Sequence, residues 1–307
     1  MTIKYIFIAF LFCLISGCQS DVETIKEDFI STGIEPDAYG EIIDSKVIGL
    51  RYISGEYKGI TDENGRFGYI LGEQIQFFIG DSALGNKVEP KDVLTPHDLA
   101  SKNSFAALNI ARFLQSLDDD AILDNGIQII NSIHRLSKNK TLDFLSQEWE
   151  EENVDYSQIE QLVYSLTKNT LSGSRHLVSS NNAYWHFSST LDKFMSDKKK
   201  EILNEINVTG CKSHNECSIQ SIETSFIGYC PSPAEVYVYS KTSTDYQRIA
   251  VLSEERMKIK DLKASLYNIA DIPRITGVCF SSPPPPEYPS CNNDGLCELS
   301  TNYPFDF

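Results

Sequence analysis

Six cysteines lie in the last third of the chain, and their number and spacing limit the chemistry they can do. They are separated by 5, 12, 48, 11 and 5 residues, and they are Cys211, Cys217, Cys230, Cys279, Cys291 and Cys297. No two are spaced as Cys-x-x-Cys, the arrangement typical of zinc ribbons and redox-active sites. An even number of cysteines in one segment of an exported protein indicates disulfides. The sequence therefore predicts three disulfides, and spacing does not choose among the fifteen pairings that six cysteines permit.

The two other cysteines lie near the amino terminus, in a segment typical of an exported protein. Lys4 precedes an unbroken apolar run at residues 6–15. A membrane-spanning helix needs roughly 20 apolar residues, so this run is too short to remain in a bilayer. It suits the apolar region of a signal peptide, and cleavage of that peptide would remove Cys13.

Residues 15–18, with the sequence Ile-Ser-Gly-Cys, resemble the lipobox of bacterial lipoproteins. The resemblance implies cleavage before Cys18 and a diacylglyceryl lipid on its thiol. Gln19 stands where an aspartate would retain a lipoprotein in the inner membrane, so the resemblance also implies the outer membrane, on its periplasmic or surface face. The alternative is an ordinary cleavable signal with an incidental cysteine.

Ser82 is a candidate nucleophile, because Gly80-Asp81-Ser82 follows an apolar strand pattern. The string resembles the first block of GDSL esterases, in which the histidine of an Asp-x-x-His pair activates a strand-end serine. No histidine of this chain has an aspartate three residues before it. A serine without a positioned base is only a hydroxyl group. We therefore interpret the string as a strand end, and hydrolase activity would need a base that the fold brings to Ser82.

Acidic residues cluster after a predicted helix, at Asp118, Asp119, Asp120, Asp124 and Asn125. Calcium takes several oxygen ligands from a compact loop, which makes Asp118, Asp120 and Asp124 weak calcium candidates. The spacing of an EF-hand is absent, and a hydrated loop is the favoured interpretation.

No cofactor is expected, and the histidines do not suggest a zinc site. His134, His176 and His186 lack the i, i+4 partners that place two ligands on one helix face. Each is expected at the surface or half-buried.

The charge balance excludes one class of partner. The chain has 307 residues, with 27 Lys and Arg against 43 Asp and Glu, and a formal net charge of -16. This charge repels the phosphates of nucleic acids and anionic lipid headgroups, so the membrane is expected as a partner only through the lipid. The composition is 41% hydrophobic and 23% charged, which is typical of a globular protein with room for two domains.

The sequence predicts a multidomain α+β fold, with a small β-sandwich, a helical middle segment and a disulfide-stapled α+β carboxyl-terminal domain. The predicted divisions are a signal peptide and lipobox at 1–18, a polar tether at 19–38, a β-sandwich-like module at 39–90, a helical region at 91–206 and a cysteine-rich domain at 207–307. The β module shows alternating apolar residues and an Asn-Gly turn.

Residues 59–69 match the hairpin pattern Gly-x-Thr-Asp-x-x-Gly-x-Phe-x-Tyr. The surrounding module of about 50 residues resembles the transthyretin-like or carboxypeptidase-regulatory-like modules of bacterial surface proteins. That resemblance implies a β-sandwich that acts as a spacer or interaction platform. We expect Thr61, Asp62 and Asn64 to serve the turn, because Asx side chains often bond to their own backbone.

Helices are predicted from caps and apolar periodicity. Thr95 is the expected N-cap of a helix with Pro96 in its first turn. The further predicted helices include a segment ending near Leu117, and the ranges Ile127 to Leu136, Leu142 to Glu151, Gln158 to Thr167 and Ala183 to Ile206. In the cysteine-rich domain, a strand at Ala234 to Tyr239, a helix at Thr242 to Asn268, a strand at Thr276 to Phe280 and a hairpin at Cys291 to Cys297 are expected.

These expectations lead to two hypotheses about function. The first is a non-catalytic binding or interaction module of the cell envelope, with an envelope protein or a glycan as partner. The second is an envelope hydrolase whose site is assembled from distant residues, for example Ser82 with a remote histidine. The absence of a complete catalytic motif favours the first.

Overall fold

The computed structural model describes residue 29 and residues 33–150, 157–222, 235–270 and 288–300. The lipobox with Cys18, the predicted strand at Thr276 to Phe280, and the cysteines Cys230 and Cys279 lie outside these residues. The chain has a multidomain α+β fold, as predicted, with two disulfides in its carboxyl-terminal region.

Two sheets form the amino-terminal β-sandwich, one antiparallel and one mixed. The strands are β1 Ala38–Ile42, β2 Val47–Ile48, β3 Arg51–Ser54, β4 Tyr57–Ile60, β5 Arg66–Tyr69, β6 Ile75–Ile79 and β7 Ser82–Ala83. One sheet has the order β4-β3-β6-β7, and in the other β5 pairs with β1. The sheets pack through aromatic rings: Phe67 on β5 meets Phe77 on β6 edge-to-face, with centroids 5.3 Å apart.

Later segments of the chain extend these strands. β8 Val93–Leu94 pairs in parallel with β1, and β9 Ile127–Gln128 pairs in parallel with β2. The sandwich is therefore completed by backbone from the helical region.

The turn between β4 and β5 connects the two sheets, so the hairpin predicted at residues 59–69 is wrong: β4 pairs with β3, and β5 pairs with β1. Side chains that the sequence singled out hold this turn. Thr61 donates its hydroxyl to the Val47 carbonyl at 2.6 Å and accepts from the Leu50 amide at 2.9 Å. Asp62 accepts from the amides of Asn64 and Arg66 at 2.8 and 2.9 Å. The bonds of Asp62 confirm its predicted turn role. Thr61 instead joins the start of the turn to the backbone between β2 and β3.

The helices are α1 Pro96–Leu99, α2 Ser104–Ser116, α3 Asn131–Leu136, α4 Gln158–Thr167, α5 Ser180–Glu205 and α6 Tyr246–Tyr267. Thr95 caps α1 as predicted, and it forms a capping box with Asp98. The bounds of α4 agree with the prediction, and α5 and α6 agree within a few residues at their ends.

Two predicted helices are wrong. The range Ile127 to Leu136 begins as strand β9, and only its second half is the short helix α3. The range Leu142 to Glu151 contains only one 3-10 turn, Gln147–Trp149, within its described residues. Here the carbonyls of Phe144 and Trp149 accept from Asn109 and Arg112 of α2, in place of the amides of a following helical turn.

Helix α2 lies at the centre of the main apolar core. Every residue from Ala106 to Ser116 is buried, and α2 contacts α1, α4, α5 and α6. The same core includes Ile42 and Phe77 of the sandwich, so apolar packing is continuous between the sheets and the helices.

The long helices connect this core to the carboxyl-terminal region. α5 contributes Phe187 to the main core and Ile202 to a second apolar cluster, whereas α6 contributes Leu252 to the second cluster and Leu266 to the main core. The two helices therefore run in opposite directions. None of the helices in the described parts of the chain combines the length and the hydropathy that crossing a bilayer requires.

Four strands build the carboxyl-terminal unit within the described residues. β10 Cys217–Ile222 pairs with β11 Glu235–Ser240, and β12 Tyr288–Cys291 pairs with β13 Cys297–Ser300. The last pair is the predicted hairpin, with Cys291 directly opposite Cys297.

Truncation of Phe67 tests whether sheets and helices share one core. Because Phe67 is fully buried against both sheets, Phe67→Ala should lower the free energy of unfolding by about 3–5 kcal/mol. Urea unfolding should be followed by circular dichroism at 222 nm, which reports mainly on the helices. The exposed Leu71→Ala serves as the control, with a change within about 0.5 kcal/mol. An unchanged helical transition in Phe67→Ala would contradict the continuous core.

Candidate functional site: a polar cluster around Ser45 and His186

Ser82 lies on the tight turn between β6 and β7 and is 2% exposed. Its hydroxyl donates to the Lys140 carbonyl. His134 lies at the same turn beside Gly80 and contacts backbone with both ring nitrogens. The Ser82 hydroxyl and the His134 ring are therefore each engaged by backbone groups.

His134 has a structural role. Its Nδ1 accepts from the Gly80 amide at 2.9 Å, and its Nε2 lies 2.9 Å from the Gly49 carbonyl. Burial lowers the pKa of His134 to about 4, although the Gly49 carbonyl opposes the shift. The ring is thus neutral at pH 7 and joins two turns of the sandwich. The expectation that His134 is at the surface or half-buried was wrong, because it is 2% exposed.

The acidic cluster forms a loop closed by its own side chains, which we call the acidic loop, residues 118–125. Asp118 accepts from the Gln128 amide at 2.8 Å. Asp120 accepts from the Ile122 amide at 2.8 Å and from the Asn125 side chain at 2.9 Å. Burial, with the nearby Asp120 carboxylate, raises the pKa of Asp118. The carboxylates thus cap the loop backbone.

The three calcium candidates do not converge on one point. Within the described residues, the only group of three or more metal-ligating side chains with ligand atoms within 4.8 Å is Cys211, Cys217 and Cys297. Their sulfurs are bonded in disulfides. Beside Asp118, the Arg175 guanidinium donates to the Asp118 carbonyl and brings positive charge to the loop.

The acidic loop contacts a Ser–His pair that sequence spacing did not indicate. Ser45 lies in the turn between β1 and β2 with φ of 66°, and its Oγ is 3.0 Å from Nε2 of His186 on α5. The same hydroxyl donates to the Leu123 carbonyl of the acidic loop at 2.9 Å. The two residues are 141 positions apart, so only the fold brings them together.

The electrostatics of the pair favour a neutral imidazole. Burial lowers the pKa of His186, and the Asp124 charge and the Asp44 backbone offset part of this shift. Asp124, a calcium candidate from the sequence, is thus an electrostatic neighbour of His186. In the tautomer that carries its proton on Nδ1, the lone pair of Nε2 faces the Ser45 hydroxyl.

Asp44 fixes the position of the β1–β2 turn that carries Ser45. Its fully buried carboxyl accepts from Nε2 of Gln115 at 3.1 and 3.2 Å, and the same nitrogen donates to the Ala183 carbonyl of α5 at 3.3 Å. Burial raises the pKa of Asp44 to about 8, with the Gln115 bond opposing the shift. A carboxyl that is mostly protonated at pH 7 therefore joins the turn, α2 and α5.

Two disulfides hold the carboxyl-terminal hairpin. Cys211 is bonded to Cys291, and Cys217 is bonded to Cys297. Backbone bonds support them: the Cys297 amide donates to the Val208 carbonyl at 2.7 Å. Four of the six cysteines thus take part in disulfides as predicted, and the predicted third disulfide involves residues outside the described ones.

Comparison with known proteins gives no relatives for this chain: no protein family, curated protein or solved structure matches it.

Peptide mapping without reduction tests the two disulfides. Digestion with trypsin, Asp-N and Glu-C separates all six cysteines into different peptides. We expect one cross-linked peptide that joins Cys211 to Cys291 and another that joins Cys217 to Cys297, because these pairs are bonded in the folded hairpin. The opposite pairing, Cys211 with Cys297, would show that the hairpin is attached in another register.

The buried Asp44 should make stability depend on pH. The pKa of Asp44 is about 8 in the folded protein, above the ordinary value of 3.8. Its contribution to stability is therefore complete below pH 3.8 and is lost as the pH rises from there to about 8. Asp44→Asn cannot ionise, so it should raise the melting temperature at pH 8 by at least ~2 °C relative to wild type. The gain should shrink towards pH 5.

Melting curves by circular dichroism from pH 5 to pH 9 measure this difference. Glu89→Gln, at an exposed position, is the matched control and should follow the wild-type profile. Parallel profiles for Asp44→Asn and wild type would show that Asp44 does not titrate in this range.

Proposed function

We propose that this protein is a lipoprotein anchored at the outer membrane, whose folded part binds an envelope protein or a glycan. The observation that carries the proposal is the apolar run at residues 6–15, which ends in Ile-Ser-Gly-Cys at Cys18. A run of this length followed by small residues and a cysteine is typical of a processed, lipid-anchored protein.

The chemistry of the carboxyl-terminal unit supports an address outside the cytoplasm. Disulfides persist in oxidising compartments and are rare where thiols are kept reduced. The bonds Cys211–Cys291 and Cys217–Cys297 attach a hairpin to a unit whose own apolar cluster is small, which is where disulfides stabilise most.

A binding role is supported by side chains that the sandwich leaves exposed. Tyr39 on β1 and Leu71 after β5 are 60% and 67% exposed. Tyrosine is enriched at interfaces because its ring is apolar and its hydroxyl can bond. The net charge of -16 disfavours polyanionic partners, which leaves proteins and neutral glycans as the expected classes.

Under the second hypothesis, an envelope hydrolase, the candidate nucleophile is Ser45 and no longer Ser82. Ser82 is buried and donates to backbone, whereas Ser45 lies within hydrogen-bond distance of His186. That contact is the specific observation in favour of hydrolase chemistry.

Metabolic labelling with a palmitate analogue tests the anchor. The wild-type chain expressed in a Gram-negative host should incorporate the label and fractionate with the outer membrane, and Cys18→Ala should lose both, because the thiol is the predicted lipid acceptor. Cys13→Ala is the matched control and should be labelled like wild type, since Cys13 lies in the predicted signal peptide. Unlabelled wild-type protein would contradict lipid anchoring.

In-cell crosslinking followed by a pull-down tests the binding role. A carboxyl-terminal tag on the anchored chain should capture an envelope protein or glycan that Cys18→Ala does not capture. Capture of nothing above the Cys18→Ala background, from correctly anchored protein, would contradict the interaction hypothesis while leaving the anchor established.

A further inference from the structure

We propose that Ser45 is a nucleophile activated by His186, and that the pair transfers the acyl group of a small neutral carboxylic ester to water. This inference goes beyond the anchored binding role and does not depend on it. It would also replace the sequence-based expectation that the protein is non-catalytic.

The geometry of the pair meets the first requirement of such a site. A serine nucleophile needs a base within about 2.6–3.2 Å of its oxygen, and Nε2 of His186 lies 3.0 Å from Oγ of Ser45. Both side chains are half-buried, so the pair is sheltered but not sealed from solvent.

The fold holds both members rigidly. Ser45 lies at a positive φ in a turn whose previous residue, Asp44, is bonded to Gln115 of α2. His186 lies in the second turn of α5, three residues after Ala183, whose carbonyl accepts from the same Gln115. One buried amide therefore fixes the spacing between the nucleophile's turn and the base's helix. Such support is what a reactive pair needs in order to stay aligned.

The charge state of the base also fits. The titratable neighbour that acts on His186 is Asp124 from the acidic loop, and the backbone of Asp44 in the β1–β2 turn bonds to the ring. Burial keeps the pKa of His186 below its ordinary value, so the ring is neutral and can accept a proton at pH 7. The Asp124 carboxylate would stabilise the imidazolium formed during the reaction.

The surroundings indicate the class of substrate. Trp185 precedes His186 and is 51% exposed, and Ile122 precedes Leu123 and is 56% exposed. Both are exposed apolar residues that adjoin, along the chain, the two residues that contact Ser45. The carboxylates of Asp120 and Asp124 would repel an anionic substrate. A neutral ester with a short apolar acyl group fits these features.

The chemical step conserves atoms and charge. Oγ of Ser45 attacks the ester carbonyl carbon while its proton passes to Nε2 of His186. The carbon–oxygen bond to the alcohol then breaks, and His186 returns that proton to the leaving alcohol. A water molecule, deprotonated by His186, attacks the acyl-serine and releases the carboxylic acid, which restores Ser45 and neutral His186.

In the structure the Ser45 hydroxyl donates its single proton to the Leu123 carbonyl at 2.9 Å, so this proton must turn to Nε2 of His186 before Oγ can react. A serine whose only task is to hold the acidic loop would keep this bond and would not react. Reactivity towards an electrophile therefore separates the two roles.

The test uses the full-length protein and a biotinylated fluorophosphonate, with the labelled residue located by mass spectrometry. Wild type should be phosphonylated at Ser45. Ser45→Ala should lose the label, and His186→Gln should react about 100-fold more slowly, since a positioned base contributes at least that much. Ser82→Ala is the matched control and should label like wild type. The rate of p-nitrophenyl acetate hydrolysis should rank the variants in the same order as phosphonylation does. In wild type this rate should rise with pH through a pKa below 6.5, because neutral His186 is the base.

Circular dichroism confirms that each variant is folded. If His186→Gln does not fold, Ser45→Cys gives an independent measure: iodoacetamide should alkylate the introduced thiol faster at pH 6 than it alkylates a free cysteine peptide, because His186 would favour the thiolate. Absence of phosphonylation in folded wild type, or labelling that persists in Ser45→Ala, would overturn the proposal. The lipid anchor is measured separately, by labelling at Cys18. Failure of the anchor proposal can therefore be distinguished from failure of the Ser45 proposal.

Discussion

The structure depends on the burial of helix α2, in which every residue from Ala106 to Ser116 is buried. A helix buried on all sides must satisfy its polar side chains inside the protein, because an unpaired buried donor costs about 1–3 kcal/mol. Asn109 donates to the Phe144 carbonyl, Arg112 donates to the Val178 and Trp149 carbonyls, and Gln115 donates to Asp44. These bonds hold three segments without regular structure around α2. The positions of these segments therefore follow from the burial of α2.

This arrangement also explains why the sandwich and the helices form one core. The Asp44 turn belongs to the β strands, yet its carboxyl is buried against α2, and the strands β8 and β9 that complete the sheets come from the helical region. The Ser45–His186 contact lies at this junction of turn, acidic loop and α5. Gln115 joins the turn that carries Ser45 to the helix that carries His186.

The carboxyl-terminal unit is held in a different way. Its apolar clusters are small, and covalent bonds supplement them: Cys211–Cys291 and Cys217–Cys297 attach the β12–β13 hairpin to the segment before β10. The helices α5 and α6 connect this unit to the main core, since each contributes apolar residues to both. In the anchored chain that we propose, the paired helices α5 and α6 would therefore join the main core to the carboxyl-terminal unit.

Local signals in the sequence determined the elements that local interactions stabilise. Thr95 and Asp98 specify a helix start, residues 158–167 carry their own apolar period, and Cys291 and Cys297 flank a hairpin turn. The proposed lipobox is likewise a local signal, independent of any fold. Tertiary structure alone decided that residues 142–150 are mostly irregular, because buried side chains of α2 take their carbonyls. It also decided the pairing of Ser45 with His186, since a contact across 141 residues leaves no local pattern in the sequence.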